Sequence, residues 1–244
     1  MNVLLPISFI ADSRYTAVPF PFPAGIGWCL YENNFDHLDL DPVKAIEKHY
    51  RKLLADTLAI PDVVEIDIEG RDNPLVPKIP AMLRRIKKVT PGVRVCAYDY
   101  PEGPRFRQGE TDPWNKPREW NQSKAVRAVM RAADFAHPSC YQECEETLVE
   151  AQARALAVVA ECWATWPSKP ALPQLNLKLG GHHPRVVKRT TDAYPFADPG
   201  NTKVRLAALR MMSIHRVVPG IWSDPPDLES ESRTDTDEAI SGLV

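Results

Sequence analysis

The strongest constraint on the fold is an alternation of strand-like and helix-like segments along the chain. Apolar runs typical of strands lie at residues 3–10, 25–32, 63–70, 93–100, 133–141, 172–179 and 217–224. Amphipathic helical patterns lie at residues 41–58, 79–90, 120–132, 143–165 and 201–216. Within the pattern at 143–165, Arg154 is predicted to face solvent. The alternation is typical of parallel strands with helices outside, either as a barrel or as an open sheet.

The positions of the unusual side chains favour the barrel. No glycine-rich phosphate loop follows any predicted strand, which removes the main signature of a nucleotide-binding open sheet. Glu69, Tyr100, Tyr141 and Trp222 all fall at the carboxyl ends of predicted strands, where a (β/α) barrel builds its active site. We therefore predict an α/β fold, a (β/α) barrel of the TIM type. Six or seven strands can be counted, so the barrel either has seven strands or is incomplete.

Length and composition fit one barrel domain followed by a tail. The chain has 244 residues, of which 44% are hydrophobic, enough for one large domain or two small ones. We predict a barrel domain over residues 1–224. Residues 225–244 are acidic, rich in serine and threonine and without apolar periodicity, which predicts a disordered tail. The apolar opening lacks a basic start, so we predict a first strand and no signal peptide, with a cytoplasmic location as the default.

The charge balance argues against nucleic acid and membrane as partners. A formal net charge of −2 offers no attraction to a polyanion or an anionic bilayer. No apolar run approaches the roughly 18–20 residues of a membrane span. The five cysteines are an odd set without paired metal-ligand spacing, so buried free thiols are expected. The sequence carries no signal for a particular oligomeric state.

The segment at residues 63–70 alternates β-branched residues with carboxylates. An extended strand would place the apolar side chains on one face and the acids on the other. The apolar side chains are Val64, Ile66 and Ile68, and the acids are Glu65, Asp67 and Glu69. A solvated surface strand would show the same pattern. Three carboxylates inside a barrel would cost several kcal/mol unless hydrogen-bonded or protonated, so we favour a functional role.

Four short motifs follow one another between residues 60 and 224. They are Asp67-x-Glu69, Tyr98-x-Tyr100-Pro101, Pro138-Ser139-x-Tyr141 and Gly220-Ile221-Trp222. Their order resembles that of hyaluronidase-type glycoside hydrolases. The chitinase family is similar in its longer acidic strand, matched by Glu65-x-Asp67-x-Glu69, and in a tryptophan on the final strand. The resemblance implies a barrel hydrolase in which the substrate's own acetamido group attacks the anomeric carbon.

The resemblance also implies catalytic roles for three residues. Glu69 would be the general acid that protonates the leaving oxygen and then activates water. Asp67 would orient the acetamido group and stabilise the oxazolinium-like intermediate, so the second carboxylate stands beside the acid and not across the sugar. Tyr141 would hydrogen-bond the acetamido oxygen, although a lone tyrosine could equally anchor a turn.

Five further residues are predicted to line or support the cleft. Trp222 would form the floor on which the sugar stacks, or it could simply pack the barrel core. Tyr98 and Tyr100 are alternatives for the wall of the cleft. Glu65 would be buried beneath the two catalytic acids. His137 could line the cleft at a strand end, although a structural histidine is the commoner case.

The sequence therefore predicts a glycosidase, without a cofactor, that acts on an oligo- or polysaccharide containing N-acetylated hexosamine. A rival from another class is a catalytically silent barrel that binds carbohydrate or a protein. A second rival is a metal-dependent hydrolase, in which His182 and His183 would ligate a metal together with Asp67 and Glu69. Adjacent side chains on a loop diverge, so we rank this metal site well below the glycosidase hypothesis.

Overall fold

A computed structural model describes the greater part of the chain. The described residues are 3–6, 24–31, 41–57, 60–102, 105–106, 114–115, 118–140, 147–176 and 220–222. The predicted helix at 201–216, the predicted tail at 225–244 and Tyr141 lie outside these residues. His182 and His183 lie outside them as well.

The described strands form one parallel sheet and one short hairpin. They are β1 (Val3–Pro6), β2 (Ala24–Tyr31), β3 (Val63–Asp67), β4 (Arg94–Ala97), β5 (Arg105–Phe106), β6 (Trp114–Asn115), β7 (Gln174–Asn176) and β8 (Gly220–Trp222). The sheet has the order β4-β3-β2-β1-β8-β7, and every neighbouring pair is parallel. Strands β5 and β6 pair antiparallel with each other. The predicted parallel α/β arrangement is confirmed, although β3 and β4 end earlier than predicted.

Residues 134–139 link the two outer strands of the parallel sheet. The strand predicted at 133–141 is present only as isolated bridges, one between Tyr100 and His137 and another between Ser139 and Gln174. The His137 amide donates to the Tyr100 carbonyl oxygen at 2.8 Å, and the Cys140 amide donates to the Gln174 carbonyl oxygen at 2.9 Å. The segment therefore forms hydrogen bonds to the residues just beyond β4 on one side and to β7 on the other.

Five α-helices are described. They are α1 (Pro42–Asp56), α2 (Ile79–Val89), α3 (Arg118–Asn121), α4 (Lys124–Ala132) and α5 (Leu148–Thr165). The first two match the helices predicted at 41–58 and 79–90, whereas the single helix predicted at 120–132 is divided into two. The start of α1 is fixed by Asp41, whose carboxylate accepts a hydrogen bond from the Val43 amide at 2.9 Å. Among the described helices, none is both long enough and apolar enough to cross a membrane.

The alternation in β3 determines which of its side chains enter the main core. Val64, Ile66 and Ile68 are 0% exposed. They belong to a cluster built with the apolar faces of α1, α2, α4 and α5. The other face of β3 contributes to a second, smaller cluster, whose members are Val63, Cys96, Phe135 and Leu172. Since side chains alternate along a strand, Glu65 and Asp67 share this second face with Val63.

Arg154 is 3% exposed, so its predicted position on the solvent face of α5 is wrong. It lies three residues after Ala151 and four before Val158, both of which are buried, and these spacings put the three residues on one side of a helix. A long side chain can cover apolar surface with its methylene groups. Position on the helix therefore outweighed the preference of a charged residue for solvent.

Replacing Ser123 with alanine is expected to destabilise the fold by about 1 kcal/mol. The Ser123 hydroxyl accepts a hydrogen bond from the Val126 amide at 3.2 Å and so caps the first turn of α4. Chemical denaturation measures the loss. The matched control is Gln122→Ala, at an exposed neighbouring position, which should change stability by less than about 0.5 kcal/mol. Equal effects of the two substitutions would contradict the capping role.

Candidate active site

Two of the predicted catalytic acids lie at the carboxyl end of β3. Asp67 is the last residue of the strand and is half-buried, whereas Glu69 lies two residues farther on and is exposed. The Glu69 carbonyl oxygen accepts a hydrogen bond from Asn73 Nδ2 at 3.1 Å, which anchors the turn that follows. Because neighbouring strands run parallel, Tyr31 at the end of β2 and Tyr98 just after β4 lie at the same edge of the sheet. Polar groups from three strands therefore meet at this edge.

Tyr98 is a half-buried tyrosine at the same edge of the sheet as the two acids. Burial raises the pKa of its hydroxyl well above the usual value, and the negative charge of Asp99 adds to this. A hydrogen bond with Ser139 acts in the opposite direction, while the charges of Glu69 and Asp67 raise the pKa further. The hydroxyl therefore stays protonated, and it lies close enough to Asp67 and Glu69 to feel their charge. A protonated hydroxyl beside two carboxylates is a hydrogen-bond donor for a ligand.

Glu65 lies deeper on the same face of β3 and makes two hydrogen bonds. Its Oε1 accepts from the Cys29 thiol at 3.4 Å, and its Oε2 lies 2.8 Å from His137 Nε2. The other ring nitrogen of His137, Nδ1, bonds to the carbonyl oxygen of Leu172. Glu65 is thus held by side chains from β2 and from the segment at 134–139.

His137 lies behind the site and not in the cleft, since it is only 1% exposed. Burial acts to lower its pKa, but attraction to Glu65 and hydrogen bonds with Glu65, the Leu172 carbonyl group and Gln174 outweigh this effect. The net result is that the pKa of His137 is raised above its ordinary value of 6.5. His137, as the partner of Glu65, therefore holds its proton to a higher pH than a free imidazole does.

The raised pKa of His137 predicts that stability falls as the pH rises through neutrality. Below pH 6.5 both the folded and the unfolded chain hold the proton, so the stabilisation by the pair is fully present. Above that value the unfolded chain loses the proton first, and the stabilisation is lost as the pH passes the folded-state pKa. Denaturation of the wild type and of His137→Gln at a series of pH values measures this, with a slope of at most about 1.4 kcal/mol per pH unit. An identical pH dependence in both proteins would contradict the ion pair.

Cys29, Glu65 and Asp67 are a set of described residues whose donor atoms lie within 4.8 Å of one another, close enough to contact a single metal ion. Burial raises the pKa of the Cys29 thiol well above its usual value, and the charges of Glu65 and Asp67 raise it further. The thiol is therefore protonated and donates to Glu65, whereas a metal requires the thiolate. Without a metal, Cys29 and Glu65 are joined by this hydrogen bond, and Asp67 lies beside them.

Tyr100 belongs to the core, so its predicted place in the wall of the cleft is wrong. It is 5% exposed and its ring packs against Trp120, with 6.4 Å between the ring centres. Burial raises the pKa of its hydroxyl, and the contributing charges are Asp99 and Glu102. Tyr98, two residues earlier, is instead half-buried at the edge of the sheet where Asp67 lies.

For two predicted site residues, Tyr141 and Trp222, the structure does not describe where the side chain lies. Tyr141 lies outside the described residues. Trp222 is the last residue of β8, and its side chain lies outside the described part of the chain. Their roles in substrate binding stay predictions.

Cys29 was missed by the sequence analysis, although a signal for it exists. Trp28 and Leu30 are buried in the main core, so alternation along β2 puts Cys29 and Tyr31 on the opposite face. The register pairs Cys29 with Glu65 and Tyr31 with Asp67. A search for residues that share the face of the acids on the neighbouring strand would have found both.

Comparisons with known proteins give a likeness in fold and none in sequence. No model of a known protein family matches the chain. A comparison with curated protein sequences finds no match either.

Solved structures of bee venom hyaluronidase share the fold of the chain. A monoclinic crystal form superposes with a TM-score of 0.67 at 13% identity, covering 99% of each chain. The complex of bee venom hyaluronidase with a hyaluronic acid tetramer gives a TM-score of 0.53 at 11% identity, covering 89% of this chain and 66% of the other. The catalytic domain of a family GH18 chitinase from a fern, Peteris ryukyuensis, gives a TM-score of 0.47 at 10% identity, covering 90% of this chain and 73% of the other. The chain therefore shares its fold with a hyaluronidase, which agrees with the resemblance drawn from the motifs.

Proposed function

We propose that this protein is a glycoside hydrolase that acts on glycans containing N-acetylhexosamine. The observation that carries the proposal is the meeting of Asp67, Glu69 and the protonated Tyr98 at the carboxyl edge of the parallel sheet. The shared fold with bee venom hyaluronidase supports it. A hyaluronic acid tetramer is bound in one of those structures, which supports an oligosaccharide as the substrate class.

The parallel sheet is proposed to close into a seven-stranded barrel. Residues 134–139 would be its remaining strand, between β4 and β7. The hydrogen bonds of this segment to Tyr100 and to Gln174, on opposite sides, support closure. In a barrel of this kind the carboxyl ends of all strands converge on one mouth. The side chains of Asp67 and Tyr98 would then line the mouth, and Glu69 would stand at its rim.

In the first step of the proposed reaction, the acetamido carbonyl oxygen of the substrate attacks the anomeric carbon. The bond to the leaving oxygen breaks, and Glu69 donates its proton to that oxygen. Asp67 accepts a hydrogen bond from the acetamido N–H and balances the positive charge of the resulting oxazolinium ring. Its half-buried position suits this role, because a fixed charge acts more strongly where water is partly excluded.

In the second step, water attacks the anomeric carbon and opens the ring. Glu69, now a carboxylate, takes a proton from that water, which restores both the acid and the acetamido group. Two displacements at the same carbon give net retention of configuration. The exposure of Glu69 supports its role, since both the leaving group and the incoming water must reach it. The hydroxyl of Tyr98 would donate a hydrogen bond to a substrate oxygen.

The test is turnover of defined polymers by the purified protein. We expect release of new reducing ends from chitin oligomers, hyaluronan or peptidoglycan fragments, with activity unchanged by a chelator. Binding of these glycans without release would instead favour a carbohydrate-binding protein. Activity that the chelator abolishes would favour a metal-dependent hydrolase, and neither binding nor turnover would overturn the proposal.

A further inference from the structure

The feature that the proposed reaction does not use is the buried ion pair behind the acids. The side chain of Glu65 is 12% exposed and that of His137 is 2% exposed, and their charged atoms lie 2.8 Å apart. The residues are 72 positions apart in sequence, so the contact joins β3 to the segment at 134–139. A buried pair of this kind rarely adds net stability compared with apolar packing. Its position next to Asp67 suggests a different role.

The hydrogen bonds of His137 fix where its protons are. The Leu172 carbonyl oxygen can only accept, so His137 Nδ1 carries a hydrogen. A second hydrogen on Nε2 then donates to Glu65 Oε2, while Glu65 Oε1 accepts from the Cys29 thiol. Both oxygens of Glu65 are thereby engaged, and the pair as a whole is electrically neutral.

We propose that His137 is a positioning residue of the carboxylate site, which neutralises Glu65 from behind so that Asp67 remains ionised and correctly oriented. The inference rests on the proposed function. Asp67, Glu65 and Cys29 present donor atoms within 4.8 Å of one another. Without the histidine, two carboxylates would stand side by side with no positive charge in contact with Glu65, and one of them would take up a proton.

The other ionisable groups around the pair cannot replace the histidine. Those that act on the same face are Cys29 on β2, Asp67 on β3, Cys96 on β4, and Tyr98 and Asp99 just beyond β4. Each of these groups is either neutral or negative at neutral pH. Arg94 shares this face of β4, and its guanidinium carbon lies 5.0 Å from the centre of the Phe135 ring. His137 is the cation that contacts Glu65 directly.

The activity test compares His137→Gln with the double variant Glu65→Gln/His137→Gln. The single variant leaves Glu65 uncompensated, so kcat should fall about 10- to 100-fold with little change in KM, and the acid limb of the pH profile should move to higher pH. The double variant removes both charges and should recover most of the lost kcat and return the acid limb toward the wild-type position. If the single variant keeps the wild-type kcat and pH profile, or if the double variant is no better than the single one, the proposal is overturned.

A second readout does not depend on turnover. Nitrogen NMR of the histidine side chains in the wild-type protein should show both ring nitrogens of His137 protonated at about pH 7. The signal is assigned by its absence in His137→Gln or, should that variant not fold, in the double variant. In Glu65→Gln the same ring should titrate at lower pH than in the wild type. A neutral ring at about pH 7 in the wild type would overturn the proposal, whereas a charged ring in a protein without glycosidase activity would overturn only the proposed function.

Discussion

Replacing Glu69 with glutamine is expected to lower kcat by about 10²- to 10⁴-fold while leaving the protein folded. Glutamine keeps the size of the side chain but can neither donate the proton to the leaving oxygen nor take one from water. Glu69 is exposed at the end of β3 and its carbonyl group, not its carboxylate, holds the following turn, so little stability depends on the charge. Steady-state hydrolysis of chitin oligomers measures the rate.

The nearby control for this substitution is Asp72→Asn. Asp72 is exposed three residues after Glu69, so the change removes one negative charge from the same loop. It should leave kcat within about twofold of wild type. Binding of the intact oligomer to Glu69→Gln should also persist, which calorimetry can measure. A Glu69→Gln protein that keeps more than a tenth of the wild-type kcat would remove Glu69 from the mechanism.

Replacing Asp67 with asparagine is expected to lower kcat by about 10²- to 10³-fold, for a different reason. Asparagine keeps an oxygen that can accept from the acetamido N–H but loses the charge that balances the oxazolinium ring. The half-buried position of Asp67 makes that charge effective. Circular dichroism should confirm that the variant is folded.

An activated leaving group separates the two acids. A para-nitrophenyl glycoside of the same sugar needs little help from a proton donor, so Glu69→Gln should regain much of its first-step rate with this substrate. Asp67→Asn should not, because the charged ring still has to form. Equal recovery by both variants would contradict the separate roles assigned to them.

The part of this structure that could be predicted from sequence is the part set by local periodicity. The alternation at Val64, Ile66 and Ile68 places the acids of β3 on the opposite face, and this pattern involves only the strand itself. The cap of α1 by the Asp41 carboxylate is equally local, since it involves an amide only two residues away. The parallel direction of the strands follows from the repeated alternation of strand and helix patterns.

The contacts that build the site were harder to predict because they join distant parts of the chain. The bond between Glu65 and His137 depends on how residues 134–139 lie beside β4, which no local pattern encodes. The position of Tyr98 beside the acids, and of Tyr100 in the core, depends on where β4 ends. The sequence predicts the strand to residue 100, but β4 ends at Ala97, and the residues beyond it no longer follow the strand's alternation.

The most direct measurement is a comparison of two substrates that differ only in the acetamido group. Fully N-acetylated chitin oligomers and their de-N-acetylated counterparts are incubated with the wild-type protein, and the anomeric configuration of the first product is read by proton NMR. We expect the acetylated oligomers to be cleaved with retention, and the deacetylated ones to resist cleavage because they lack the attacking oxygen. Equal cleavage of both, or cleavage with inversion, would contradict acetamido participation at the Asp67 and Glu69 site.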